Sequence, residues 1–198
     1  MFRISFLLVS LSIATPAAAL SQARPQEPFV VRDVCPYECC QLGIWVARGT
    51  IRAFRSRGNR AAVAFVLKAG DTVTAKSGDM VTQRLGRVVV RRHLAPSPET
   101  RDSTLRPAIG DTLYLASYGG EGSWQAWHGG RLHWTSEFWP SQVGQRGADA
   151  DLVAAPRGTW WVRLETRRGL SGWVRAGTMV IDGLENVAPG FSGADACG

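Results

Sequence analysis

The sequence predicts an all-β protein that consists of one or two small β-barrels braced by disulfide bonds. Short runs rich in β-branched and aromatic residues alternate with turns that contain Gly, Asp or Pro. No run shows the 3.6-residue apolar repeat of an amphipathic helix longer than two turns. Four cysteines occur in 198 residues, and clustered cysteines are typical of exported, disulfide-bonded chains.

The N-terminal 19 residues have the features of a secretory signal peptide. Arg3 precedes a short apolar run, and Ala17 and Ala19 supply a small-x-small cleavage site. The run is shorter than the roughly 20 residues that a membrane-spanning helix needs, and no later segment approaches that length. We therefore expect a periplasmic or secreted protein without a transmembrane segment. Residues 20–34 then form a polar, flexible lead.

The four cysteines predict two disulfide bonds. Cys35, Cys39 and Cys40 are clustered, whereas Cys197 is the penultimate residue of the sequence. A bond between the adjacent Cys39 and Cys40 is disfavoured, which leaves one local bridge from Cys35 to Cys39 or Cys40 and one long bridge to Cys197. A metal site is the weaker interpretation, because the cluster has no second cysteine pair and no nearby His. We expect no metal and no cofactor.

Strands and turns alternate along most of the chain. His128-Gly129-Gly130 is a hairpin signal, and Ser77-Gly78-Asp79 also reads as a turn. The predicted strands occupy residues 44–54, 62–67, 72–75, 85–90, 112–115, 123–127, 131–134, 151–153, 159–164 and 172–175.

A Gly-Asp-Thr sequence occurs twice, each time directly before a predicted strand. It begins at Gly70 and again at Gly110, where Gly permits a positive φ and the Asp side chain caps the turn. The repetition predicts two similar β units, over residues 35–95 and 109–198. A Pro-containing segment, 96–108, is the predicted linker between them.

The formal net charge of +7 indicates an anionic partner. Removal of the signal peptide takes away only Arg3 and leaves +6. Export argues against nucleic acid as the target, so an anionic membrane surface or wall polymer is favoured. The basic residues are scattered, and a cationic surface without a specific partner explains the charge equally well.

Four of the eight tryptophans lie within sixteen residues. Period-two alternation places Trp124 and Trp127 on opposite faces of a strand, so one is core and the other is exposed or covered by a loop. An exposed Trp beside Tyr118 or His128 would provide a stacking platform for sugar rings or peptide. The alternative is that these rings fill barrel cores or an interface between the two units. The candidate ligand-binding residues are Tyr118, Trp124, Trp127, His128, Trp134 and Trp139.

Several segments resemble the bacterial SH3 (SH3b) domain family. Residues 159–164 with Gly172-Trp173-Val174 resemble its closing strands, and Lys68-Ala69-Gly70-Asp71-Thr72-Val73 resembles its Gly-Asp turn. The Cys35-Pro36-Tyr37-Glu38-Cys39-Cys40 cluster with a terminal Asp195-Ala196-Cys197 is similar to an uncharacterised group of secreted SH3-like proteins. The resemblance implies small barrels that bind cell-wall peptide or an envelope protein. The first unit lacks a Gly-Trp closing element of its own.

The sequence offers little support for catalysis. His128 and His133 flank the predicted hairpin and should approach each other, with Glu121 and Glu137 in the same segment. Two His without a further ligand make a weak zinc site, and there is no G-x-S-x-G elbow or Gly-rich phosphate loop. We therefore predict a non-catalytic binding module. The alternative is an envelope hydrolase or metal-dependent enzyme that uses the two His and nearby carboxylates.

Overall fold

The computed structural model describes residues 24–58, 60–93, 105–181 and 183–194. These residues form strands and no helix, so the all-β prediction is confirmed. The described ranges accordingly contain no helix able to cross a membrane. The predicted signal peptide, most of the predicted linker and Cys197 lie outside the described residues.

The described residues form fourteen strands in two antiparallel sheets. The strands are β1 (Phe29–Val31), β2 (Gly43–Ala47), β3 (Ile51–Phe54), β4 (Val63–Leu67), β5 (Thr72–Arg84), β6 (Gly86–Val90), β7 (Thr112–Gly120), β8 (Ser123–His128), β9 (Arg131–Ser136), β10 (Ala150–Ala154), β11 (Arg157–Thr166), β12 (Ser171–Val180), β13 (Gly183–Glu185) and β14 (Phe191–Ser192). The large sheet has the order β14-β2-β5-β11-β12-β3-β4, with β1 beside β5 and β13 beside β12. It curls into a half-barrel. The small sheet has the order β10-β6-β7-β8-β9.

The small sheet is an insertion within the large one. All five of its strands lie in the chain between β5 and β11, which are themselves paired over ten residues. Arg84, near the point where the chain leaves the large sheet, is opposite Arg157, where it returns. The sheets therefore do not follow the predicted division into units over 35–95 and 109–198. β5, which begins in the first predicted unit, pairs with β11 from beyond the insertion.

Both sheets arrange their strands by the same rule. We compare two five-strand sets, β14-β2-β5-β11-β12 in the large sheet and β10-β6-β7-β8-β9 in the small sheet. Within each set, the strand that comes last in sequence pairs with the one that comes first, and the second to fourth strands follow in order. The pairing of first and last strands brings the two ends of each five-strand set together. In the large sheet the hairpin of β3 and β4 extends this set beside β12.

The two Gly-Asp turns occupy equivalent positions and have the same hydrogen bonds. Gly70 N donates to Ala47 O at the end of β2 and Gly110 N donates to Val90 O at the end of β6, at 2.8 and 2.9 Å. The side chains of Asp71 and Asp111 accept from the backbone N–H three residues earlier, at 2.7 and 2.9 Å. Both glycines have positive φ, 87° and 90°. The sequence repeat thus encodes one turn used twice.

The predicted turn at Ser77-Gly78-Asp79 is wrong, since β5 continues through it. Gly78 is needed because the indole ring of Trp160 crosses the strand there: a Cβ would lie 2.3 Å from Trp160 Nε1. Asp79 is buried and accepts from Arg57 at 2.8 Å. Gly78 is therefore required for close packing and Asp79 for a partly buried ion pair, although the same residue types are also typical of a turn.

The N-terminal segment is also structured where a flexible lead was predicted. Phe29, Val30 and Val31 form β1 and pair with Thr82, Val81 and Met80 of β5. Val31 is buried in the core, and this burial stabilises the segment against its conformational entropy.

A disulfide bond joins Cys35 and Cys40, with their Cα atoms 5.5 Å apart. This confirms the local bridge and selects one of its two alternatives. Cys39 is also disulfide-bonded. The predicted long bridge involves Cys197, which lies outside the described residues. It stays a prediction that peptide mapping of the unreduced protein can test.

Buried residues of both sheets form one continuous core. In the large sheet Trp160 is fully buried, with its ring centroid 6.3 Å from Trp45 and 5.6 Å from Tyr37. In the small sheet Leu113, Leu115, Trp124 and Leu152 are fully buried. The small sheet is therefore an integral part of the fold, and its two faces have different environments.

Candidate functional site

Two of the predicted ligand-binding residues are core residues. Trp124 is fully buried and Trp139 is 6% exposed. Their ring centroids are 6.5 Å apart, and Tyr118, directly opposite Trp124 on β7, has its centroid 5.2 Å from that ring. These T-shaped contacts fill the inner face of the small sheet. Trp124 and Trp139 are therefore not accessible to a ligand, which corrects their placement in the predicted site.

The outer face of the small sheet carries a row of partly exposed side chains. Strand register places Arg87, Tyr114, Trp127 and Leu132 directly opposite one another on β6, β7, β8 and β9. Directly opposite residues share a face of the sheet. Arg87 is exposed and the other three are partly exposed. This row is the accessible aromatic surface of the small sheet.

A second tryptophan belongs to the same face. Trp134 is opposite Gln125, which precedes Trp127 by two residues, and alternation therefore puts both indole rings on the outer side. Gly119 permits the position of Trp134, because a Cβ at residue 119 would lie 2.3 Å from Cζ3 of the ring. Both indoles are partly exposed. We call Tyr114, Trp127 and Trp134 the outer aromatic face.

The N-terminal strand orders one end of this face. Phe29 of β1 contacts Trp127 in a T-shaped arrangement, with ring centroids 5.6 Å apart and planes at 68°. Edge-to-face aromatic pairs stabilise by about 0.5–1.5 kcal/mol beyond the area they bury. The Trp127 indole is thus held by a neighbouring ring. Side chains fixed before binding lose less conformational entropy when a ligand arrives.

His128 and His133 approach each other as predicted, but their rings are hydrogen-bonded to groups within the fold. Their ring centroids are 6.3 Å apart. His128 Nε2 is 2.9 Å from Asp111 Oδ2, and His133, 4% exposed, has Nε2 at 3.2 Å from His128 O. Asp111 belongs to the second Gly-Asp turn, so the pair connects that turn to the β8–β9 hairpin. Within the described ranges no three His, Cys, Asp or Glu side chains are grouped to hold a metal.

An ion pair fixes the opposite edge of the small sheet. Arg91 donates to the Asp151 carboxylate at 2.6 Å, and Gly147 N donates to its other oxygen at 3.1 Å. The hydrogen bond from Arg91 is the largest cause that holds the pKa of Asp151 below its usual value of 3.8. The carboxylate is opposite Val89 of β6, so the pair secures β10 against its neighbour.

The sequence patterns did not predict that Arg87, Tyr114 and Phe29 belong to this surface. Alternation within β7 carried the signal for Tyr114, because its neighbours Leu113 and Leu115 are apolar and both are fully buried. The placement of Arg87 and Phe29 depends on strand pairing between distant segments, which no local pattern contains.

Comparison of the chain with protein-family models, curated proteins and solved structures finds no match. The candidate site is therefore defined by its own geometry. It is a sheet surface with three partly exposed aromatic rings, an exposed Arg at one end of the row and an aliphatic side chain at the other. Flat rings beside a cation suit stacking against sugar rings or peptide groups.

Proposed function

We propose that this protein is a non-catalytic binding module of SH3-like type that acts in the cell envelope, on wall peptide or an envelope protein. The outer aromatic face is the binding surface. The observation that carries the proposal is the position of Tyr114, Trp127 and Trp134 on the side of the small sheet away from Trp124. The inner face is filled by Trp124 and Trp139, whereas the three rings on the other side are partly exposed.

Three further features support the proposal. Five strands of the large sheet and the five strands of the small sheet are each ordered with the last strand beside the first, an order that resembles the closing of an SH3 barrel. The Cys35–Cys40 bridge suits an oxidising compartment, and the N-terminal sequence predicts export. The positive net charge favours association with anionic wall material.

Co-sedimentation of the purified protein with purified cell-wall sacculi tests this proposal. We expect Trp127→Ala and Trp134→Ala each to weaken binding by about tenfold, the equivalent of about 1.4 kcal/mol. Trp173→Ala is the matched control, because Trp173 is also a partly exposed indole but lies on β12 of the large sheet. It should change binding by less than about twofold.

Thermal unfolding of each variant separates loss of binding from loss of fold. The proposal is contradicted if folded Trp127→Ala and Trp134→Ala bind sacculi as well as the parent protein, or if the Trp173 control loses as much. Binding that disappears fully at moderate salt and ignores all three substitutions would assign the interaction to net charge alone.

A further inference from the structure

A groove lies on the large sheet, away from the outer aromatic face. Its volume is about 720 Å³, which is within the range of ligand sites. One wall runs from β4 through the first Gly-Asp turn, and the other is the hairpin between β11 and β12. It is lined by Phe65, Val66, Leu67, Lys68, Gly70, Asp71, Thr72, Thr166, Arg167, Arg168 and Leu170.

The first wall is an edge of the large sheet. β4 is the last strand in the sheet order and pairs only with β3 among the described residues. Four consecutive residues, from Phe65 to Lys68, line the groove, so the strand presents its length to it. Its sequence, Val-Ala-Phe-Val-Leu, contains no charged residue and no Pro. Natural proteins usually protect such an edge with charges, Pro or a covering segment.

The second wall is a cationic hairpin with a hydrogen-bonded turn. Thr166 N donates to Leu170 O and Gly169 N donates to Thr166 O, both at 2.9 Å, and Leu170 N donates to the Thr166 hydroxyl at 3.1 Å. Arg167 and Arg168, at the tip, are exposed and form no ion pair with any described residue. The hydrogen-bonded hairpin therefore places two exposed cations opposite the edge strand.

The charge of the groove is strongly unbalanced. Lys68 joins the two arginines, and Asp71 is the only acidic lining residue. The Asp71 carboxylate already accepts the Lys68 N–H at 2.7 Å as part of the turn. Apolar contacts are available on both walls, because Val66 is 51% exposed and Leu170 is 52% exposed. The groove combines an unpaired strand edge, apolar rims and three cations.

We propose that the groove binds an extended acidic peptide segment of a partner protein, which adds as a strand to the edge of β4. The edge supplies main-chain hydrogen bonds, and alternate side chains of the peptide contact Val66 and Leu170 or face Arg167, Arg168 and Lys68. A second copy of this chain is a poor occupant, because its positive charge would oppose the approach. This second binding surface is independent of the outer aromatic face.

Fluorescence anisotropy with a labelled, end-blocked hexapeptide of alternating Glu and Val tests the proposal. The full-length protein is titrated against this peptide and against the Gln-Val analogue of equal length. We expect the Glu peptide to bind at least tenfold more tightly than the Gln peptide at low salt. Equal binding of the two peptides, or no binding of either, would overturn the proposal.

Charge-reversal variants locate the site. Arg167→Glu/Arg168→Glu should weaken binding of the Glu peptide at least tenfold. Arg32→Glu/Arg146→Glu makes the same change in net charge at exposed positions outside the groove, and it should weaken binding by less than about threefold. Equal loss in both double variants would assign the effect to overall charge and refute a specific groove.

Hydrogen exchange separates strand addition from charge attraction alone. The Glu peptide should slow amide exchange in residues 63–68, whereas inorganic polyphosphate, added as a second anion, should leave these amides unchanged. Peptide binding without slower exchange at β4, or equal slowing by polyphosphate, would reject strand addition. The outcome of the sacculus-binding experiment does not affect the peptide-binding measurements. Either proposal can therefore be refuted without the other.

Discussion

Replacement of Gly78 by Ala inserts a methyl group where β5 is crossed by the indole of Trp160. The added Cβ would lie 2.3 Å from Trp160 Nε1 and 2.5 Å from Val34 O. These two atoms are hydrogen-bonded to each other at 3.1 Å, and Val34 N donates to Gly78 O at 2.7 Å. The ring cannot withdraw towards solvent, because Trp160 is fully buried.

The expected loss of unfolding free energy is about 3–5 kcal/mol. Overpacking of a core costs about 1–3 kcal/mol, and displacement of the two hydrogen bonds costs about 1 kcal/mol each. For a chain of this size the loss corresponds to a decrease in Tm of about 6–20 °C. Urea unfolding followed by tryptophan fluorescence and far-UV circular dichroism measures it, with an unchanged m-value as the check on two-state behaviour.

Gly49→Ala is the matched control for this substitution. A Cβ at residue 49 meets no heavy atom within 4 Å, and its φ is not positive. It should leave stability unchanged or raise it by up to about 1 kcal/mol through the unfolded state. In a Trp160→Phe background Gly78→Ala should cost less, because the clashing Nε1 is gone. If Gly78→Ala is no more destabilising than Gly49→Ala, the close approach of Trp160 to β5 is refuted.

Two further predictions concern buried polar groups. Trp160→Phe should lower the free energy of unfolding by about 1–3 kcal/mol more than Trp124→Phe, as measured by urea unfolding. The reason is that Trp160 Nε1 donates to Val34 O, whereas Trp124 Nε1 has no hydrogen-bond partner in the described structure. Equal losses in the two variants would contradict this. Asp151→Asn should destabilise the protein at neutral pH, and the difference should vanish as the pH falls from about 4 through the lowered folded-state pKa of Asp151, since the Arg91 pair stabilises only the carboxylate. Unfolding free energies measured from pH 7 to pH 2 test this, and a difference independent of pH would disprove it.

Local chemistry made the turns and strands predictable. Gly70 and Gly110 start turns that require a positive φ at the glycine. In each turn the following Asp side chain accepts a hydrogen bond from the backbone N–H three residues earlier. The hairpin after His128 formed for the same reason, with positive φ at Gly129 and Gly130. These features need only a few neighbouring residues, and such residues are visible in a sequence.

The pairing of distant strands was not predictable in this way. β5 and β11 are partners although the whole small sheet separates them in the chain. Gly78 was read as a turn because a glycine required by a distant indole has the same local signature as one required by a bend. Alternation separated Trp124 from Trp127 correctly, but only the packing of Trp139 and Tyr118 decides which face is the core.

The insertion of one sheet into another sets the order in which the chain can fold as it is synthesised. The strands from β6 to β10 are contiguous in sequence and can pair as soon as residue 154 has emerged. β5 can pair with β1 and β2 on one side, but its other side stays unpaired until β11 is made. Contacts between segments far apart in sequence form slowly. During synthesis, one edge of β5 in the large sheet is therefore unpaired while the strands of the small sheet are already complete, and unpaired strand edges favour aggregation.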